Sequence, residues 1–129
     1  MDVPGIVQLL QKEFPSLSWS EFRGQVRVCV SRDRLFLLLQ TLKEQHGFDM
    51  LADITCVDYL YYLQKMPGRF GLVYVLTNTQ TNQRIVVRTF LDEPELVAPS
   101  VTPLWEAANW LEREVWDMFG IRFAGHPDL

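Results

Sequence analysis

Hydrophobic positions along the chain follow two spacings, one typical of helices and the other typical of strands. Pro4–Phe14 and Ser31–Gln45 place apolar residues three and four positions apart, which predicts two amphipathic helices, the second capped by Ser31 and ended by Gly47. Gln25–Val30 alternates apolar with polar residues, which predicts a half-buried strand. Further strands are predicted at Ser18–Phe22, within Phe48–Tyr62, at Arg69–Thr77 and at Arg84–Leu91.

A third helix is predicted from about Pro103, or from a start a few residues later, to Phe119, with Thr102 as its N-cap and Gly120 as its C-terminal end. At about 100° per residue, one side of this helix is apolar and is expected to pack on the core. Its members are Leu104, Ala108, Leu111, Val115, Met118 and Phe119.

The element order is therefore α-β-β-α-β-β-β-α. Adjacent hairpins separated by helices predict an α+β fold, a mainly antiparallel sheet with helices packed on one face. The connector from Asp92 to Pro103 contains three prolines, so no regular element is expected there. A length of 129 residues is typical of a single domain, which we expect to extend over residues 1–129.

Composition narrows the classes of partner. The net charge of −4 and the scattered basic residues argue against nucleic acid, and no apolar run reaches the ~18 residues that span a bilayer. The N-terminus lacks the features of a secretory signal, so Cys29 and Cys56 are expected to be reduced and largely buried.

Motifs for bound cofactors are missing from the sequence. No phosphate-binding glycine pattern occurs, and the cysteines and histidines have no metal-ligand spacing. Acid–base catalysis by Glu112, Glu114 and His126 stays open as an alternative, because it requires only that these groups converge in one pocket.

The outer side of the third helix is unusual, because Trp110 stands there among charged residues. An exposed aromatic among charges is the composition of a protein–protein hot spot, although a neighbouring loop of the same domain could also cover it. Glu112 lies between Trp105 and Trp116 and should meet a cation or a backbone N–H. The candidate partner contacts are Trp105, Asn109, Trp110, Glu112, Arg113, Glu114, Asp117 and His126.

The sequence E-R-E-V-W-D-M-F-G-I-R-F-A-G-H-P-D-L at 112–129 resembles the signature of the 30-kDa subunit family of respiratory complex I. A-D-I-T-C-V-D-Y at 52–59 and the element order are also similar to that family. The family signature continues past H-P-D-L into a longer tail, whereas this sequence ends at Leu129. The family's C-terminal tail is therefore expected to be missing.

The resemblance implies a structural subunit in the peripheral arm of a proton-translocating NADH–quinone oxidoreductase. Such a subunit binds no cofactor itself, while NADH, FMN, iron–sulfur clusters and quinone bind in other subunits. Its implied partners are the large quinone-site subunit and the adjacent iron–sulfur subunit, with only indirect membrane contact on the cytoplasmic side of the bacterial inner membrane. The equivalent subunit of an energy-converting [NiFe] hydrogenase or a ferredoxin-dependent complex is the alternative within the family.

Overall fold

The computed structural model describes residues 1–129, which form three helices and seven strands. In chain order these are α1 Val3–Glu13, β1 Ser18–Phe22, β2 Gln25–Cys29, α2 Arg32–His46, β3 Met50–Asp58, β4 Phe70–Asn78, β5 Gln83–Leu91, β6 Val97–Pro99, α3 Ala108–Phe119 and β7 Arg122–Ala124.

Five strands form one sheet in the order β1-β2-β5-β4-β3. Its pairings are antiparallel except for β2 against β5, which run parallel with Val26 opposite Ile85. The mainly antiparallel sheet and the α+β class are confirmed. The predicted hairpin of β1 and β2 is confirmed too, and its turn residues Arg23 and Gly24 both have positive φ, as a type I′ turn requires.

The helices cover one face of the sheet, as the alternation of the strands predicts. Alternate residues of β4 and β5, such as Leu72, Tyr74, Ile85 and Val87, are fully buried beneath the helices. Helix α1 packs on β2 and β5, α2 packs on β5 and β6, and α3 packs chiefly on β3. The core therefore lies between the sheet and a single layer of helices.

Local sequence signals set the ends of the first two helices. The Asp2 carboxylate accepts a hydrogen bond of 2.8 Å from the Gly5 N–H, and Pro4 lies in the first turn of α1, where its missing N–H costs nothing. Gly47 ends α2 in the left-handed conformation with φ of 76°. The predicted bounds of α1 differ from the observed ones by one residue at each end. Ser31 precedes the first residue of α2 as its N-cap, as predicted, and α2 ends at His46, one residue beyond the predicted Gln45.

Two details of the C-terminal third differ from the prediction. Helix α3 begins at Ala108 rather than Pro103, because the Thr102 hydroxyl pairs with Ser100 instead of capping a helix and the chain turns twice before Ala108. The proline-rich connector also contains the short strand β6, which pairs in parallel with β7. Pro99 is tolerated there because it ends a short strand of a two-stranded sheet.

Both cysteines are free, as expected, but each is half-buried rather than largely buried. Cys56 is on β3, where burial, and secondarily the nearby Asp58 carboxylate, raises the pKa of its thiol to about 12. The thiol is therefore protonated and unreactive at neutral pH.

Candidate functional site

The inner side of α3 differs from its predicted apolar side. Ala108 and Val115 are buried, and Phe119 packs edge-on against Phe70 of β4 with ring centroids 6.2 Å apart. Met118, which was expected in the core, is 75% exposed. Glu112 is buried instead, since it follows Ala108 by four residues and precedes Val115 by three, a spacing that places them on one side of a helix.

Glu112 is fully buried, and its carboxylate is held by two donors from one segment. The Ser100 hydroxyl donates to Oε1 and the Val101 N–H donates to Oε2, both at 2.7 Å. Burial raises the pKa of Glu112, although these two hydrogen bonds and the nearby His126 partly oppose that shift. The expected backbone N–H partner is thus found inside the domain, and Glu112 is not available to another chain.

Trp105 is also covered by the domain, with 6% of its surface exposed. It belongs to the turns that precede α3, where its backbone N–H donates to the Val101 carbonyl oxygen. Because the helix starts three residues later, Trp105 is not on the boundary of its outer side as predicted. The prediction that Trp105 and Glu112 contact a partner is therefore wrong, since both side chains are buried inside the domain.

Trp110, in contrast, is 68% exposed and lies on the outer side of α3. The guanidinium carbon of Arg113 lies 5.4 Å from the centroid of its ring, a cation–π contact. Arg113 does not pair with Asp117, four residues further along the helix. Its Nη1 atom lies 3.7 Å from a carboxylate oxygen of Asp128 in the C-terminal segment. No neighbouring loop covers Trp110.

His126 fastens the C-terminal segment to the first turn of α3. Its Nδ1 atom accepts a hydrogen bond of 2.9 Å from the Asp128 N–H, and its Nε2 atom lies 3.0 Å from the Asn109 carbonyl oxygen. Since a carbonyl oxygen only accepts, Nε2 carries the proton. Both ring nitrogens are therefore engaged in structural contacts, and Asn109 contributes through its backbone.

Glu114 and Asp117 are exposed, and neither forms an ion pair within the chain. Glu114 lines a groove of about 320 Å³ between α3 and β3, together with Asp53, Met118 and Phe119 among others. Neither Glu112 nor His126 lines this groove. The three groups that the acid–base alternative requires do not converge, so the geometry does not support it.

The outer surface of α3 thus consists of Trp110 and Arg113, with Trp116 and Met118 farther along the helix, 37% and 75% exposed. The sequence prediction missed Met118, which lies at the edge of the apolar arc, where periodicity alone does not decide burial. It also missed the loop Leu60–Leu63 after β3, four consecutive apolar residues that are all exposed. An apolar run before a proline–glycine turn was the available signal.

No group of three or more His, Cys, Asp or Glu side chains is placed to hold a metal ion. No helix is both long enough and apolar enough to cross a membrane. That the chain binds no cofactor stays a prediction.

Comparison with known proteins identifies the family. Residues 28–129 match the model of the respiratory-chain NADH dehydrogenase 30 Kd subunit. An NADH-quinone oxidoreductase subunit from Trichlorobacter lovleyi is 41% identical over 130 residues, covering 99% of this chain and 78% of the relative. The same-named protein from Moorella thermoacetica is 41% identical over 123 residues, covering 95% and 80%.

Solved structures agree with these matches. A trypsin-resistant fragment of Nqo5 superposes with a TM-score of 0.91 and 36% identity, with all of both chains covered. A chain of a membrane-bound sulfane sulfur reductase, an archaeal respiratory membrane complex, gives a TM-score of 0.79 and 28% identity, covering 95% of this chain and 71% of that one. With its fold, its final helix and most of its length matched, the chain belongs to the 30-kDa subunit family of respiratory-chain NADH dehydrogenases.

Proposed function

We propose that the chain is a structural subunit in the peripheral arm of a proton-translocating NADH–quinone oxidoreductase, and that α3 binds a neighbouring subunit. The observation that carries this proposal is Trp110, 68% exposed and stacked with Arg113 on a helix whose opposite side is anchored in the core. Trp and Arg are the residue types most enriched among the few contacts that dominate binding energy. The names of the relatives supply the kind of assembly.

The anchoring of α3 supports a binding role because it fixes the helix before any partner arrives. Glu112 ties α3 to Ser100 and Val101 beside β6, and His126 ties the C-terminal segment to Asn109. A surface that is already ordered loses little conformational entropy when it binds. Trp110 and Arg113 therefore project from a rigid support.

The proposed partners are the large quinone-site subunit and the iron–sulfur subunit beside it. By fixing these two neighbours, the chain would hold the terminal cluster and the quinone site at electron-transfer distance. NADH, FMN, the clusters and quinone would bind in other subunits, and this chain alone would be inactive. It would meet the cytoplasmic side of the bacterial inner membrane only through its partners.

A second candidate is the equivalent subunit of another membrane-bound respiratory complex, such as an energy-converting hydrogenase or a ferredoxin-dependent complex. The similarity to the sulfane sulfur reductase chain favours this possibility. Its 28% identity is lower than the 41% shared with the oxidoreductase subunits, so the NADH–quinone assembly is our first choice.

The test is to replace Trp110 by Ala in a tagged chain and to recover the complex from solubilised membranes. We expect the yield of assembled complex to fall roughly 30-fold, as for a hot-spot tryptophan, while the free energy of unfolding changes by less than about 1 kcal/mol. Leu9→Ala, which truncates an exposed apolar residue on α1, is the control and should assemble normally. Arg113→Ala should lower the yield of assembled complex to a similar extent.

Two results would count against the proposal. One is a Trp110→Ala chain that assembles as well as the unaltered chain, and the other is a loss of assembly explained by unfolding. The purified chain should also show no flavin or iron–sulfur absorbance and should not oxidise NADH. Identification of the co-purified subunits by mass spectrometry separates the NADH–quinone assembly from the hydrogenase-like alternative.

A further inference from the structure

The face of the sheet that points away from the helices carries a second apolar surface. Ile85 and Val87 of β5 belong to the core, and Val86 between them points to the opposite side. Val86 is 7% exposed, yet it is not part of the core cluster. Its burial therefore comes from neighbours on the open face, where no helix packs.

Those neighbours form a stripe of valines across three adjacent strands. Val75 of β4 lies opposite Val86, and Val73 and Val57 are half-buried on the same face. Together they line a shallow concavity of about 280 Å³. The outer two of three strands are about 10 Å apart, which matches the ~10–12 Å diameter of an α-helix with its side chains.

One border of the stripe is basic. Arg27 of β2 lies opposite Val86, Arg88 is two residues further along β5, and both line the concavity. Arg27 Nε donates to the Gln25 side chain and Arg88 Nη1 donates to the Tyr59 hydroxyl, but neither arginine forms an ion pair. This border stands out in a chain whose net charge is −4. Asp53 lies on β3 at the opposite border.

We propose that this open face binds one amphipathic α-helix of a partner polypeptide. The apolar side of that helix would cover Val73, Val75 and Val86, and its acidic side would meet Arg27 and Arg88. In α/β proteins, sheets that are apolar on both faces carry helices on both sides, although those sheets are mostly parallel. The inference rests on the proposed function, because the partner is another polypeptide of the assembly, but it concerns a surface other than α3.

The first experiment replaces Val75 with the photo-crosslinking residue p-benzoylphenylalanine in the tagged chain, within the assembled complex. After irradiation, mass spectrometry identifies the attached peptide, and cryo-electron microscopy of the complex gives its secondary structure. A crosslink to a helix with acidic residues on the side next to Arg27 is the expected result. The same replacement at Gln8, exposed on α1, is the control for nonspecific labelling.

The second experiment reverses the charge of one arginine in the intact complex. Arg27→Glu should lower the recovery of the crosslinked partner by roughly tenfold or more, because like charges then face each other at the contact. Arg27→Lys keeps the charge, and recovery of the crosslinked partner should remain within about threefold of that of the unaltered chain. Lys12→Glu, an equal charge reversal on exposed α1, should leave recovery within about twofold.

Several outcomes would overturn the inference. These are a crosslink to a strand, to lipid, to a second copy of this chain or to a basic segment, the absence of any crosslink, and normal recovery with Arg27→Glu. If the complex assembles and depends on Trp110 while Val75 labels nothing, only this inference fails. If the tagged chain recovers no partner at all, the proposed function fails with it.

Discussion

The Ser100 hydroxyl donates a 2.7 Å hydrogen bond to the Glu112 carboxylate, joining two residues that lie twelve positions apart in the chain. The Val101 N–H donates to the other carboxylate oxygen, so one buried side chain fixes α3 to the segment after β6. A buried carboxylate is costly unless it is hydrogen-bonded. The position and angle of α3, and hence of Trp110, therefore depend on this contact.

Replacing Glu112 with Ala should lower the free energy of unfolding by about 2–4 kcal/mol, because two buried donors lose their acceptor. Glu114→Ala is a matched control on the same helix, since Glu114 is exposed and forms no ion pair. It should change stability by less than about 0.5 kcal/mol. Urea denaturation followed by tryptophan fluorescence measures both, and equal losses would argue against the buried role of Glu112.

The same residue predicts a pH dependence of stability. Burial raises the pKa of Glu112 above its ordinary value of 4.5 in the folded chain, so between these two values the folded chain binds more protons than the unfolded chain. The stability that this raised pKa contributes to the folded chain is fully present below pH 4.5 and is lost as the pH rises through the folded-state pKa.

Glu112→Gln removes the titrating carboxyl group, so the free energy of unfolding should decline less as the pH rises. His46, whose pKa is lowered by burial, also adds to the pH dependence of stability, so the informative quantity is the difference in unfolding free energy between the two chains. Urea midpoints measured from about pH 4 to about pH 8 give that difference. A difference that does not change over this range would contradict the raised pKa of Glu112.

Two glycines that end helices allow a comparison of backbone strain with crowding. Gly47 and Gly120 have φ of 76° and 72°, in the left-handed region. A Cβ atom at Gly120 meets nothing within 4 Å, whereas a Cβ atom at Gly47 would lie 2.8 Å from Asn78 Nδ2. The Asn78 side chain cannot move freely, because its Oδ1 atom accepts hydrogen bonds from two backbone N–H groups.

Gly120→Ala should therefore cost about 1 kcal/mol of unfolding free energy from strain alone, and Gly47→Ala should cost about 2 kcal/mol or more, because Asn78 must also shift. Thermal and urea unfolding of the two variants measure the difference. A Gly47→Ala chain as stable as Gly120→Ala would mean that the Asn78 contact relaxes without cost.

Most of the fold could be predicted from periodicity and turn chemistry, because these are local properties. Alternation located the strands, and Gly47 and Gly120 marked two helix ends. The parallel pairing of β2 with β5 could not be predicted from the sequence, since neither strand contains a signal for which distant strand it pairs with. Strand β6 was missed because its pairing with β7 depends on where α3 returns the chain.

The candidate site was only partly predictable for a related reason. Trp110 was identified by its composition and is exposed, but Trp105 and Glu112 are interior residues. Their burial follows from the late start of α3 and from the Ser100 hydroxyl, and both are tertiary features. A carboxylate on an apolar side signalled a buried hydrogen bond, although the sequence did not say whether its partner belonged to the same chain.

The parallel pairing has a consequence for the chain as it leaves the ribosome. Val26 lies opposite Ile85, so the hairpin of β1 and β2 is synthesised long before the strand that receives it. Until then, one edge of a two-stranded ribbon is unpaired, and such ribbons are only marginally stable in water. The N-terminal hairpin can therefore join the sheet only after β5 has been synthesised.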